Sequence, residues 1–184
     1  MKNFVRGVAC AFVAAFLCLF PTYAAEDKEH SIADLDFLLG KWRFVDESTE
    51  IAGFEYREEG EMICESALDE RYIACHCEGA SNGKTRHYVN YYSYNNLAGE
   101  FQLTSLFGNY PEKSHFRIKL DEGENGFSMI GDPMRIPDGR RSTNWSVISL
   151  EGPDRIRWET RLNRTGEAPD HWPLKFVATY ERVE

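Results

Sequence analysis

Beyond its first two dozen residues the chain has no apolar run long enough to cross a bilayer as a helix. It has no basic stripe either: 30 Asp and Glu outnumber 21 Lys and Arg. An acidic chain repels phosphate backbones, so nucleic acid is excluded as a partner. G-x-S-x-G, H-E-x-x-H and Gly-rich phosphate loops are all missing, and with them the enzyme classes they mark. No repeat, low-complexity tract or domain boundary breaks the chain, which leaves one domain with a core of its own. Helical periodicity is missing after residue 40, which excludes a helical bundle.

The N-terminus has the pattern of a secretion signal. Lys2 and Arg6 form a positive region, and Val8 to Phe20 an apolar stretch too short for a stable span. Small residues precede a cut expected after Ala24, which makes 1–24 a signal peptide and 25–184 the mature domain. Losing two basic residues takes the formal charge from −9 to −11. A secreted or periplasmic location follows, with no membrane insertion after cleavage.

Ser31 with Asp34 three residues on reads as a capped helical turn or two ending at Gly40. From there the pattern has period two, broken by turn residues. Strands are expected near 41–48, 53–64, 66–78, 85–95, 99–107, 114–121, 126–131, 142–150, 154–162 and 174–183. Ser81-Asn82-Gly83-Lys84, Glu122-Gly123-Glu124-Asn125-Gly126, Pro137-Asp138-Gly139 and Glu151-Gly152-Pro153-Asp154 are built from turn formers. About ten hairpin-connected strands predict an all-β fold, an antiparallel up-and-down barrel closed to remove its edges.

The run Leu35 to Trp42, containing Gly40-Lys41-Trp42, resembles the start of the lipocalin-like (calycin) superfamily. With Leu68 to Ile73, Tyr91 to Gly99 and the ending Tyr180-Glu181-Arg182, it is most similar to uncharacterised bacterial lipocalin-like domains. The resemblance implies that Trp42 plugs the barrel floor and Arg182 packs across its indole, a structural pair. It implies a cavity but names no substrate. A related group, the nitrobindin-like haem proteins, opens in a similar way and needs a late axial histidine. His171 is the only late one here, and it sits in a polar linker rather than on a strand. Haem is therefore kept only as an alternative, and no cofactor is expected.

Three cysteines remain in the mature chain. A hairpin turning at Asp69-Glu70 pairs position 64 with 75, which fits a Cys64–Cys75 disulfide with Cys77 diagonal to it. A three-thiolate metal site is the alternative, but it needs a reducing compartment, so no metal is expected. His76, His87 and His115 fall on neighbouring strands without a tight ligand spacing. Tyr88, Tyr92, Trp145 and Trp158, with His87 and His115, are the candidates for lining a cavity. In 155–162, Ile156, Trp158 and Leu162 share one face. Arg155, Arg157, Glu159 and Arg161 share the other, read as a solvated outer wall. Asn144-Trp145-Ser146 and Asn163-Arg164-Thr165 match the glycosylation pattern, which matters only in a eukaryotic host.

The expected function is non-enzymatic binding of a small hydrophobic or amphipathic ligand in the barrel. One rival is a haem-binding or enzymatic barrel that uses a cavity histidine. The other is a filled barrel that works through its outer surface by protein–protein interaction. Oligomeric state is not set by any of these features.

Overall fold

A computed structural model describes residues 29–109, 112–121, 126–135, 141–163 and 167–183. The leader expected over 1–24, the turn residues 122–125 and 137–139, and residues 164–165 of the second glycosylation match lie outside them. The strands are β1 (Gly40–Ser48), β2 (Arg57–Ala67), β3 (Tyr72–Ser81), β4 (Lys84–Asn95), β5 (Glu100–Phe107) and β6 (Ser114–Leu120). They continue with β7 (Gly126–Gly131), β8 (Met134–Arg135), β9 (Arg141–Ser142), β10 (Asn144–Leu150), β11 (Arg155–Leu162) and β12 (Leu174–Arg182). All but β8 and β9 form a closed barrel in chain order, with β1 pairing β12 to complete the ring. Every pairing is antiparallel, and β8 and β9 make a separate two-stranded ribbon between β7 and β10.

Bounds differ from the period-two reading at several ends: β2 runs on to Ala67 rather than ending near 64, and β3 begins at Tyr72 rather than near 66, because the turn 68–71 separates them. β2 begins at Arg57 because a 3₁₀ turn, Glu50–Ala52, and a left-handed Gly53 (φ 78°) occupy the connection before it. The helix before β1 is 3₁₀, over Ile32–Leu38. The Ser31 amide donates to the Asp34 carboxylate at 3.3 Å, and Leu35 and Leu38 are buried in the core. This segment lies across one end of the barrel and closes it.

Strand alternation sorts the residues into two sets. Trp42, Phe44 and Asp46 of β1 face inward, in register with Met62, Gly60 and Glu58 of β2 and with Arg182, Tyr180 and Ala178 of β12. The row continues through Cys77–Tyr88–Phe107 and Cys75–Asn90–Ser105. Short turns at 68–71, 96–99 and 151–154 lie at the closed end, the floor. The connection 49–56 and the described parts of two longer ones, 132–135 with 141–143 and 163 with 167–173, lie at the other end, the mouth. Cys64 and Cys75, directly opposed in the β2–β3 hairpin, form a disulfide in the floor half. It ties the strands that lead into a turn whose residues Leu68, Asp69 and Glu70 all have positive φ. Such a bond is in keeping with an oxidising compartment.

Candidate functional site at the barrel mouth

The floor is sealed by a stack. The Arg182 guanidinium lies 4.1 Å over the Trp42 ring and donates to the carbonyls of Leu39 (2.6 Å) and Phe37 (3.2 Å). The Trp42 indole N–H donates to the Leu38 carbonyl at 2.8 Å. Gly40 has φ 116°, and a Cβ there would meet Arg182 Nη1 at 2.6 Å, so the glycine of the motif serves both turn and stack. Every donor in this group has a partner that holds structure together, and nothing in it is left for a ligand.

The mouth half is built differently. Glu58 is 1% exposed and lies across β3, where Gly79 leaves room for it: a Cβ at Gly79 would sit 1.8 Å from Glu58 Oε1. Arg86 of β4 reaches the same carboxylate with Nη2 on Oε2 and Nε on Oε1 at 3.2 Å. The Tyr56 hydroxyl also donates to Oε2 and accepts from Arg86 Nη2 at 3.2 Å. The guanidinium of Arg86 further lies 4.8 Å over the Tyr88 ring. Burial raises the Tyr56 hydroxyl above its usual pKa, and the bond to Glu58 adds to this, so the phenol stays protonated. Glu58, Arg86 and Tyr56 thus form a mutually satisfied triad.

Asp46 does not share in it. It faces inward between Glu58 and Ala178, and its Oδ1 is shut off from solvent without a hydrogen-bond partner. Burial, then the neighbouring Glu58 charge, raises its pKa from 3.8 to about 6; Arg86 opposes this only in part. At neutral pH the group is a desolvated, largely ionised carboxylate with an unmet acceptor.

Below the charges lies an aromatic wall. Phe44 meets Tyr180 at 5.4 Å between ring centroids and Tyr88 at 6.4 Å, while Trp158 meets Tyr180 at 6.2 Å and Phe107 meets Tyr88 at 5.8 Å. Inward-facing residues of the floor half, such as Tyr92, Leu103, Phe127 and Ile148, are sealed from solvent. In the mouth half Arg86, Tyr88, Phe107, Trp158 and Phe176 also face inward yet are only half-buried. These side chains therefore keep some contact with water, in contrast to those of the floor half. Cys77 sits in the aromatic layer with its thiol pushed up from 9.0 to about 12 by burial, which leaves it a poor nucleophile.

The structure divides the residues chosen from sequence. Tyr88 and Trp158 line the opening, and Tyr92 lies below it, fully buried. Trp145 stands on the outer wall, opposite Ile130 and Arg161. There it borders a shallow groove of about 310 Å³ with Arg117, Lys119 and Pro169. His87 is exposed beside Glu78, and His115 is exposed with its Nδ1 3.0 Å from the Thr104 hydroxyl. His76 is also on the outer face, and His171 is exposed beside Asp170. His30 packs on Tyr94 and Phe101 at the floor. With no histidine facing the interior, the residues present do not fit a haem held by an axial imidazole. Arg157 and Glu159 pair on the outside, and Asn144 points inward against Gly131 rather than toward solvent. Asp46, Glu58, Tyr56 and Arg86 were not singled out by the sequence reading. Counting in steps of two from Trp42, Met62 and Tyr88 reaches all four.

No known family model and no curated protein matches the sequence. Among solved structures, the S-type phycobiliprotein lyase CPES from Guillardia theta is similar with a TM-score of 0.56 at 12% identity. The match covers 85% of this chain and 94% of that one. A redesigned β-barrel, mFAP0, bound to DFHBI, gives 0.42 at 10% identity over 79% of this chain and 99% of that one. A de novo designed fluorescence-activating β-barrel gives 0.43 at 11% identity, over 80% and 95%. At 12% identity the likeness to the lyase is one of fold alone, a closed antiparallel β-barrel.

Proposed function

We propose that the chain is a secreted or periplasmic binding protein, and that it takes a small amphipathic ligand through the barrel mouth. The observation that carries this is the contrast between the two halves of one interior. The floor half is sealed, whereas aromatic side chains of the mouth half face inward and still reach solvent. An apolar wall with a few convergent polar groups is the usual make-up of a small-molecule site. Trp158, Tyr88 and Phe176 would contact the apolar body, and the Asp46–Glu58–Arg86 rim would orient the polar end.

The test is titration of the full chain, exported through an oxidising compartment, with the uncharged fluorescent probe N-phenyl-1-naphthylamine. Saturable one-to-one binding is expected, weakened at least about tenfold by Trp158→Ala and left unchanged by Trp145→Ala on the outer wall. Tyr88→Leu serves as a second variant should Trp158→Ala fold poorly. Absence of saturable binding, or equal sensitivity to both tryptophans, would overturn the mouth site and favour a filled barrel.

A further inference from the structure

We infer that the ligand of the mouth carries a positively charged amine, and that Asp46 is the group that receives it. This rests on the mouth site proposed above and narrows it to a ligand class.

The argument is one of unmatched charge and unmatched hydrogen bonding. Among the described strand residues on the inward face of the mouth half, the charged side chains are Asp46, Glu58 and Arg86, with Lys84 exposed at the outer rim. Arg86 is committed to Glu58, which it meets through two nitrogens, and to the Tyr88 ring. Asp46 stands outside that pairing, a carboxylate whose buried oxygen has no donor. An ionised carboxylate accepts hydrogen bonds and cannot give one, so an anionic head group would meet repulsion there. An alcohol could donate to it but would leave the charge unbalanced. An ammonium group supplies both the donor and the charge. The surroundings suit a cation as well: Trp158, half-buried and in register with Asp46 across Ala178, offers an aromatic ring beside the sealed Phe44 and Tyr180. The formal charge of −9 attracts cations from a distance.

The site should also respond to pH. The groups around Asp46 are Glu58 from β2, Arg86 from β4, Tyr180 from β12, Tyr56 from the β1–β2 connection and Glu47, its neighbour on β1. Tyr56 and Tyr180 are held protonated by burial, and burial brings the charge change of Asp46 into mildly acidic solution.

Octylamine, 1-octanol and octanoate share one tail and differ in charge, so they make the discriminating set. Each is titrated against the N-phenyl-1-naphthylamine complex of the full chain and of Asp46→Asn. At about pH 7.5 octylamine should displace the probe at least roughly tenfold more tightly than 1-octanol, and octanoate should be the weakest. Asp46→Asn should remove the advantage of the amine while leaving 1-octanol unchanged. Lowering the pH to about 4.5 should shrink it in the wild type, where the amine keeps its charge and Asp46 loses its own. If the probe binds and 1-octanol or octanoate competes as well as octylamine, or if Asp46→Asn keeps the preference, the amine inference fails and the mouth site stands. If neither probe nor competitor binds the wild type, both fail together.

Discussion

Replacing Asp46 by Asn should make the ligand-free protein more stable, and only where Asp46 is ionised. The folded pKa is raised from 3.8 to about 6. Each unit is worth about 1.4 kcal/mol, so ionised Asp46 costs at most about 3 kcal/mol. The sign follows from proton counts. Between the two pKa values the native state binds more protons than the unfolded chain, so stability falls as pH rises through this range. Below the unfolded value both states are protonated and the penalty vanishes; above about 6 it is fully in place. Asn keeps the shape and loses the charge, and its amide can donate to Glu58. Its own burial takes back about 1 kcal/mol, which leaves a net gain of about 1–2 kcal/mol near neutral pH. For a chain of this size that is a rise in melting temperature of about 2–8 °C.

Urea unfolding of both proteins, from about pH 4 to about pH 7.5, reads this directly. Other carboxylates titrate in the same range, so the quantity to follow is the difference between variant and wild type at each pH. It should fall to slightly below zero at the acid end, where only the cost of burying the amide remains, and grow to its positive plateau by neutrality. A variant less stable than wild type at neutral pH, or a difference flat across the range, would refute the reasoning that Asp46 is a desolvated charge without a partner.

Arg86→Leu should cost about 3 kcal/mol, because it strands Glu58 in a site where it is 1% exposed. A Glu58→Leu/Arg86→Leu double variant should recover most of that in a urea-unfolding mutant cycle, and simple additivity would count against the pairing. With its thiol raised to about 12, Cys77 should be ionised in only about one molecule in ten thousand at pH 8. Iodoacetamide followed by peptide mass mapping should therefore find Cys77 unmodified in the folded protein and modified after unfolding; ready modification of the native protein would contradict the burial.

The architecture was legible in the sequence because its signals are local. Turn residues at regular intervals and period-two strands placed ten strands near where they lie, and the constant residue sum about the 68–71 turn set Cys64 opposite Cys75. The site was only half legible. Tyr88 and Trp158 stand out as aromatics on strands, but so does Trp145, and residue type does not say which wall a side chain joins. Phase does. Gly40-Lys41-Trp42 anchors β1 with Trp42 inside, and alternation then puts Asp46 inside as well. A charged residue at an inward step breaks the hydrophobic pattern and looks like a strand end, which is why it escaped notice. The Glu58–Arg86 contact spans two β-ladders and depends on the missing side chain at Gly79, a relation that no local pattern carries.

The two ends of the barrel answer opposite demands with similar chemistry. At the floor an arginine covers an aromatic ring and finds carbonyl acceptors of the segment that closes that end, so charge and hydrogen bonds are met within the chain. At the mouth an arginine again lies over an aromatic ring, but the carboxylate it satisfies is Glu58, and the second carboxylate is left over. Sequences that specify a fold tend to be consistent at every level except where function intrudes, and under the amine proposal Asp46 is such an exception. A cation bound beside it would draw its pKa back toward the ordinary carboxylate range and return the stability that the empty barrel lacks. The same carboxylate would then weaken the free protein, select the ligand and couple its release to acid, because one proton on Asp46 cancels all three effects.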